Sequence, residues 1–192
     1  ELMIVKNRDT TNDDWMVYAS GVTYQSVHGN DPDNYGNNPP TLKLQSTDAA
    51  NFSMSGTWDH THPTASVFRV GDTGSTNGSN ENLIAYLFAS LDGISKVGSY
   101  SGSSSSVDVD CGFTNGARFV LIKRIDSTAN WTLFDTERGI NSGNDPYLRL
   151  NTTDAQDSSY DAIDTLASGF TVNSGNGNYN TNGGTYVFLA IA

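Results

Sequence analysis

The 192-residue sequence predicts an all-β fold of two tandem β-sandwich or jelly-roll-like repeats of antiparallel strands. Three observations predict it. Gly, Ser, Thr, Asn and Asp dominate, while helix formers on an amphipathic period are scarce. Apolar residues come in short runs separated by turn signals, at the spacing of about a dozen short strands. The third observation is an internal duplication. "MIVKNRDTTNDDWMVY" returns as "FVLIKRIDSTANWTLF", "TLKLQSTDAA" as "YLRLNTTDAQ", "SVFRVG" as "SGFTVN", and "NGSNENLIAYLFA" as "NTNGGTYVFLAIA". Four matching blocks in one order divide the chain into residues 1–93 and 94–192, joined near "SLDGISK".

Each repeat opens with an apolar run, residues 3–5 and 119–122, followed by basic residues and an Asp-Thr-Thr or Asp-Ser-Thr turn. Asp and Thr side chains bond backbone N–H groups two residues on, which stops a strand and reverses it. The strands of Trp15 and Trp131 run back, giving one hairpin per repeat with the two Trp residues as core anchors. Leu42-Lys43-Leu44 and Leu148-Arg149-Leu150 then alternate, as do Phe68-Arg69-Val70 and Phe170-Thr171-Val172, with one face buried and one wet. Residues 83–89 and 186–192 are apolar throughout and read as central strands covered on both faces. Between the repeats, "KVGSYSG" and "VDVDCGF" add two strands around the serines 103–106. Nothing equivalent precedes the first hairpin, so the first repeat is expected to lack its N-terminal strands, either because they lie upstream of Glu1, the preferred reading, or because another chain supplies them.

A net charge of −11, with most acids as Asp in loops, repels phosphate backbones and anionic lipid. Nucleic acid and membrane insertion are therefore not expected. Cys111 stands alone, so no intramolecular disulfide forms, which points to assembly in a reducing compartment. Asn51, Asn77, Asn130 and Asn151 fall in Asn-x-Ser/Thr sequons, as chance supplies in a chain of this composition.

Few constellations offer chemistry. Asp135 and Glu137, two apart on a strand, are the only pair to nominate for glycoside cleavage; Ala19 and Ser20 stand near that place in the first repeat, and a solvated strand end is the better reading. His60 and His62 in "WDHTHPT" could share a metal with Asp59, but Pro63 and the turn-rich setting favour a plain loop. "DPDNYG" places Asp31, Asp33 and Gly36 as a calcium loop would, yet Leu42 stands where an EF-hand needs Glu. A looser loop calcium ion is the only cofactor contemplated. "GSYSG" carries Tyr100 where a nucleophile elbow needs Ser. No catalytic, cofactor-binding or metal residue is assigned. Trp58, Tyr100 and Tyr160 could stack on sugar rings, with packing against the sandwich rim the preferred alternative.

The blocks "ELMIVKNRDTTNDDWMVY", "LQSTDAA", "WDHTHPTASVFRVG", "NLIAYLFASLDGISKVGSYSG" and "ARFVLIKRIDSTANWTLFDTERG" resemble a repeated, uncharacterised domain of marine tailed-phage structural proteins. In those proteins it often follows a concanavalin A-like, laminin-G-type lectin domain. The resemblance implies a non-enzymatic virion protein, a capsid decoration or tail-fibre module, assembled in the host cytoplasm and exposed outside. It implies other virion proteins and further copies of the chain as partners, and it carries over no functional residues. A carbohydrate-binding module gripping a cell-surface glycan is the alternative, and a glycan hydrolase comes last.

Overall fold

The strands follow from short apolar runs between turn residues. A computed structural model describes residues 1–24, 27 and 38–192, with 36% strand and 6% helix, an all-β fold. The first sheet is built around a hairpin, β1 (Leu2–Asn7) and β2 (Met16–Ala19), with β3 (Leu42–Lys43) beside β2 and β4 (Leu83–Phe88) beside β1. The second has five strands. Its hairpin is β7 (Phe119–Arg124) and β8 (Trp131–Asp135), with β9 (Leu148–Arg149) beside β8, β12 (Thr185–Ile191) beside β7, and β5 (Ser95–Ser101) beside β12. The third is small, β10 (Ile163–Leu166), β11 (Gly169–Val172) and β6 (Val107–Asp110). All the ladders are antiparallel.

The order β3-β2-β1-β4 in the first sheet recurs as β9-β8-β7-β12 in the second. Register agrees as well: Lys6 lies opposite Ile84, and Lys123 opposite Val187. The turn chemistry agrees in detail. Asp9 accepts the backbone N–H of Asn82 at 2.6 Å, and Asp126 that of Thr185 at 2.9 Å. Asn51 accepts from the N–H and hydroxyl of Ser53, and Asp157 from those of Ser159. These are the Asp and Asn turns that stop a strand by offering its backbone a local acceptor.

The sheets stack. Alternation along β1 sends Leu2 and Ile4 to one face and Met3 and Val5 to the other. Leu2, Val17 and Leu42 of the first sheet meet Leu121, Trp131 and Leu189 of the second in one apolar layer. The opposite face of the second sheet, with Val120, Ile122, Phe134 and Phe188, packs on Val109, Ile163, Phe170 and Val172 of the third. That makes the five-stranded sheet the middle layer, and each such buried side chain contributes roughly 1.5–3 kcal/mol of transfer free energy. The outer face of the first sheet is closed differently. Met3, Val5, Met16 and Tyr18 are covered by Trp58, on the 3-10 turn Ser55–Trp58, and by Met54 and Phe68.

Four expectations from sequence need correction. Phe68-Arg69-Val70 forms no strand, whereas its counterpart β11 does. β11 is held by β6, and among the described residues the first half has no strand in the place of β6. Residues 83–89 are not a central strand. Among the described residues β4 pairs only with β1, and it is an edge, while β12 is central and covered on both faces. Trp131 is a core anchor, its indole N–H donating to the Lys43 carbonyl at 2.9 Å, but Trp15 is only half-buried near the mouth of its hairpin. Leu150 is exposed, because the chain turns away after its N–H bonds Trp131.

Candidate functional site

The residues singled out for chemistry are held by the scaffold and do not converge. Asp135 ends β8 and accepts the backbone N–H of Arg138 at 2.9 Å, while its carboxylate also pairs with the Arg138 guanidinium. Glu137 is 88% exposed in its side chain, with Arg118 3.7 Å away. The pair forms a turn at a sheet end, not two walls of a cleft. His60 and His62 also part company: Ser55 Oγ lies 2.8 Å from Nδ1 of His60, and the Tyr18 hydroxyl 3.0 Å from Nδ1 of His62. Asp59 pairs with Arg69 at 3.1 Å. Among the described residues no three His, Cys, Asp or Glu side chains come together as metal ligands would. Asp31, Asp33 and Gly36 lie outside the described residues.

The aromatic candidates divide in the same way. Trp58 is fully buried, donates to the Pro40 carbonyl at 3.2 Å and meets Tyr18 edge-on, so it cannot offer a face to a sugar. Tyr100 is half-buried, stacked on Tyr186 at 4.9 Å, with its hydroxyl donating to the Tyr179 carbonyl. Only Tyr160 stands largely open. Cys111 is buried, and burial pushes its thiol up to about 12, which leaves it an inert core residue at neutral pH.

The surface that stands out is the edge of β4. Six apolar residues in a row form this strand, and its exposed members include Tyr86 and Leu87. The hairpin register aligns Tyr86 and Leu87 with Leu189 and Ala190 of β12. Leu87 is 58% exposed, Ala190 0%. The difference lies in the neighbours: β12 has β5 along its other edge, and β4 has no described strand there. At one end of β4 a cavity of about 190 Å³ opens between Met3, Leu87 and Phe88 on the sheet and Pro63, Val67 and Phe68 on the loop. The Glu1 carboxylate closes that end by accepting the Ser90 N–H, a bond that lowers its pKa. At the other end Lys6, Trp15, Ile84 and Tyr86 line a shallow depression of about 440 Å³.

The family called domain of unknown function DUF7483 matches residues 1–192. The chain belongs to the DUF7483 family. No curated protein and no solved structure matches it. In this DUF7483 chain the open β4 edge was missed from sequence, because an uninterrupted apolar run reads as a doubly covered strand. No helix among the described residues is long and apolar enough to cross a membrane.

Proposed function

We propose that this DUF7483 chain is a non-catalytic structural or adhesive module of a tailed-phage particle, built from two copies of one β-unit and acting through surface complementarity. One observation carries the reading. The side chains with chemical potential are tied into turns and core contacts, while the conspicuous unsatisfied feature is the apolar strip along β4. Such strips mark contact with another polypeptide more often than catalysis. The matched strand orders, registers and turn bonds of the first two sheets support duplication of a scaffold. The sequence resemblance supports the particle, and the acidic surface suits a protein displayed at high density without self-adhesion.

Deleting the chain from the phage tests this, with particle integrity, adsorption to cells and cross-linking of the chain to neighbouring virion proteins as readouts. Loss of integrity or adsorption is expected. Particles that assemble and adsorb normally without it would sink the proposal. Saturable binding on a glycan array that Tyr160→Ala abolishes would replace the structural role with sugar recognition. Glycan turnover lost on Glu137→Gln or Asp135→Asn would replace it with catalysis.

A further inference from the structure

We infer that the chain joins head to tail with a second copy of itself: residues 150–156 of one copy enter the depression of Lys6, Trp15, Ile84 and Tyr86 on the next. The pattern for this joint lies inside the chain. Residues 44–50, which leave β3, cross to the second hairpin and seal it. Just before them, the Lys43 carbonyl accepts the Trp131 indole N–H at 2.9 Å. The Thr47 carbonyl accepts from the Lys123 ammonium at 3.1 Å and from the Ala129 N–H at 2.9 Å. The Ala50 N–H donates to the Ile125 carbonyl at 2.9 Å. Lys123, Ile125 and Trp131 are buried at this seam.

The duplication supplies each part a second time, and the second pair does not meet. "LQSTDAA" (44–50) and "LNTTDAQ" (150–156) leave their sheets alike. The Leu44 N–H bonds the Trp15 carbonyl and the Leu150 N–H that of Trp131. Gln45 and Asn151 accept the backbone N–H groups of the same two Trp residues. Yet residues 150–156 are exposed almost throughout, and the Arg149 carbonyl, the Thr153 carbonyl and the Gln156 N–H bond nothing in the first half. On the receiving side, the Trp15 indole N–H, the Asp13 N–H and the Arg8 carbonyl have no partner among the described residues. These are the counterparts of the Trp131, Ala129 and Ile125 groups that residues 43–50 engage. Lys6 uses its ammonium on Thr10 and Asp13 and keeps one of its three donors. The first half thus has a used plug and an open socket, and the second half a filled socket and an unused plug.

The departures from the internal joint match one another. Ala50 on Ile125 is an apolar contact, and the counterparts are Gln156 and Arg8, which can bond each other through their side chains. Leu44 and Leu189 share the internal layer, and Leu150 and Tyr86, in their places, are 41% and 44% exposed. The net charge of −11 keeps copies from adhering at random. The depression, however, is lined by Lys6 and Arg8 and by no acidic residue, while the plug carries Asp154 on its exposed side. Different surfaces meet on the two copies, so copies add in a row or close into a ring.

The inference rests on the reading of the chain as a structural module but not on its place in a particle, and its test needs no phage. Sedimentation of the 192-residue chain over a concentration series is expected to show self-association. Arg8→Glu, which sets a carboxylate against Asp154, and Leu150→Asp both alter exposed residues and should each weaken it about tenfold or more. An equimolar mixture of the two variants should form a dimer and nothing larger, because each variant keeps one intact surface. On the unaltered chain, the Asp13 and Gln156 amides should exchange with deuterium more slowly as concentration rises. A chain that stays monomeric up to about 1 mM would overturn the inference and leave the phage-deletion result to decide the particle reading separately. Association that both substitutions spare, or that leaves exchange at Asp13 and Gln156 unchanged, would also overturn it and belong to another surface.

Discussion

Lys123 Nζ lies 2.9 Å from the carbonyl oxygen of Ala129, inside the β7–β8 hairpin, and 3.1 Å from that of Thr47 in the other half of the chain. The corresponding Lys6 closes its own hairpin onto Thr10 and Asp13, at 3.1 and 3.0 Å, without reaching across. The buried lysine therefore both staples a turn and joins the two halves.

Lys123→Met should leave the Ala129 carbonyl oxygen unpartnered at an inter-sheet seam, the Thr47 carbonyl keeping the Ala129 N–H, and cost about 1–3 kcal/mol in urea unfolding at pH 7. Burial pushes the Lys123 ammonium down to about 8. A base whose folded pKa lies below its unfolded one binds fewer protons when folded, so its contribution to stability rises with pH between about 8 and 10. Wild type should gain on Lys123→Met across that window, by on the order of 2 kcal/mol. A constant difference between pH 7 and pH 10 would contradict the assignment.

Asp126 and Asp9 hold equivalent turns in unequal settings. Asp126 is half-buried and bonded by Arg124 at 2.9 and 2.8 Å as well as by the Thr185 N–H, while Asp9 is exposed and bonded by Asn82. Asp126→Ala should cost about 1–3 kcal/mol and Asp9→Ala about 0.5–1 kcal/mol. Equal losses in parallel denaturation curves would mean that the Arg124 pair adds nothing.

Trp58 closes a sheet face that, among the described residues, no second sheet covers. Trp58→Ala should cost about 3–5 kcal/mol, since it empties a fully buried indole site on that face. Thermal unfolding checks this, and Trp58→Phe should recover much of the loss.

Asp157 accepts hydrogen bonds from the Ser159 hydroxyl, the Tyr147 hydroxyl and the Ser159 N–H, which lower its pKa to about 2. A depressed carboxylate contributes stability that is complete above about pH 4 and lost as pH falls through 2. Asp157→Asn should therefore flatten the acid limb of the stability profile between pH 4 and 2, with little change at pH 7 in the shape of the transition.

What could be read from the sequence was whatever depends on neighbours along the chain. The hairpins, the Asp turns at Asp9 and Asp126, and the short strands all follow from turn chemistry and alternation within a few residues. Strand status that depends on a distant partner was not legible. Phe68-Arg69-Val70 and Phe170-Thr171-Val172 have the same pattern, but only the second finds β6. Trp15 and Trp131 likewise match in sequence, and the inter-sheet layer buries only one. Asp145 left no local sign, although it is fully buried and accepts the N–H groups of Asn141, Ala162 and Ile163 to anchor the start of β10. The β4 edge was misread for the same reason, since an apolar run records what could cover a strand and not whether anything does.

The central position of β12 bears on how the chain comes to be folded. Its two ladder partners, β5 and β7, are made long before it. During synthesis β7 must wait with one edge unpaired and β5 with no ladder partner, and the faces of both apolar layers stay incomplete, until residues 185–191 have left the ribosome. Non-local pairing of this kind is slow and exposes sticky intermediates. The middle layer therefore locks last, and a ribosome stalled before Thr185 would leave a nascent chain able to pair its first and third sheets but lacking the strand that joins β5 to β7.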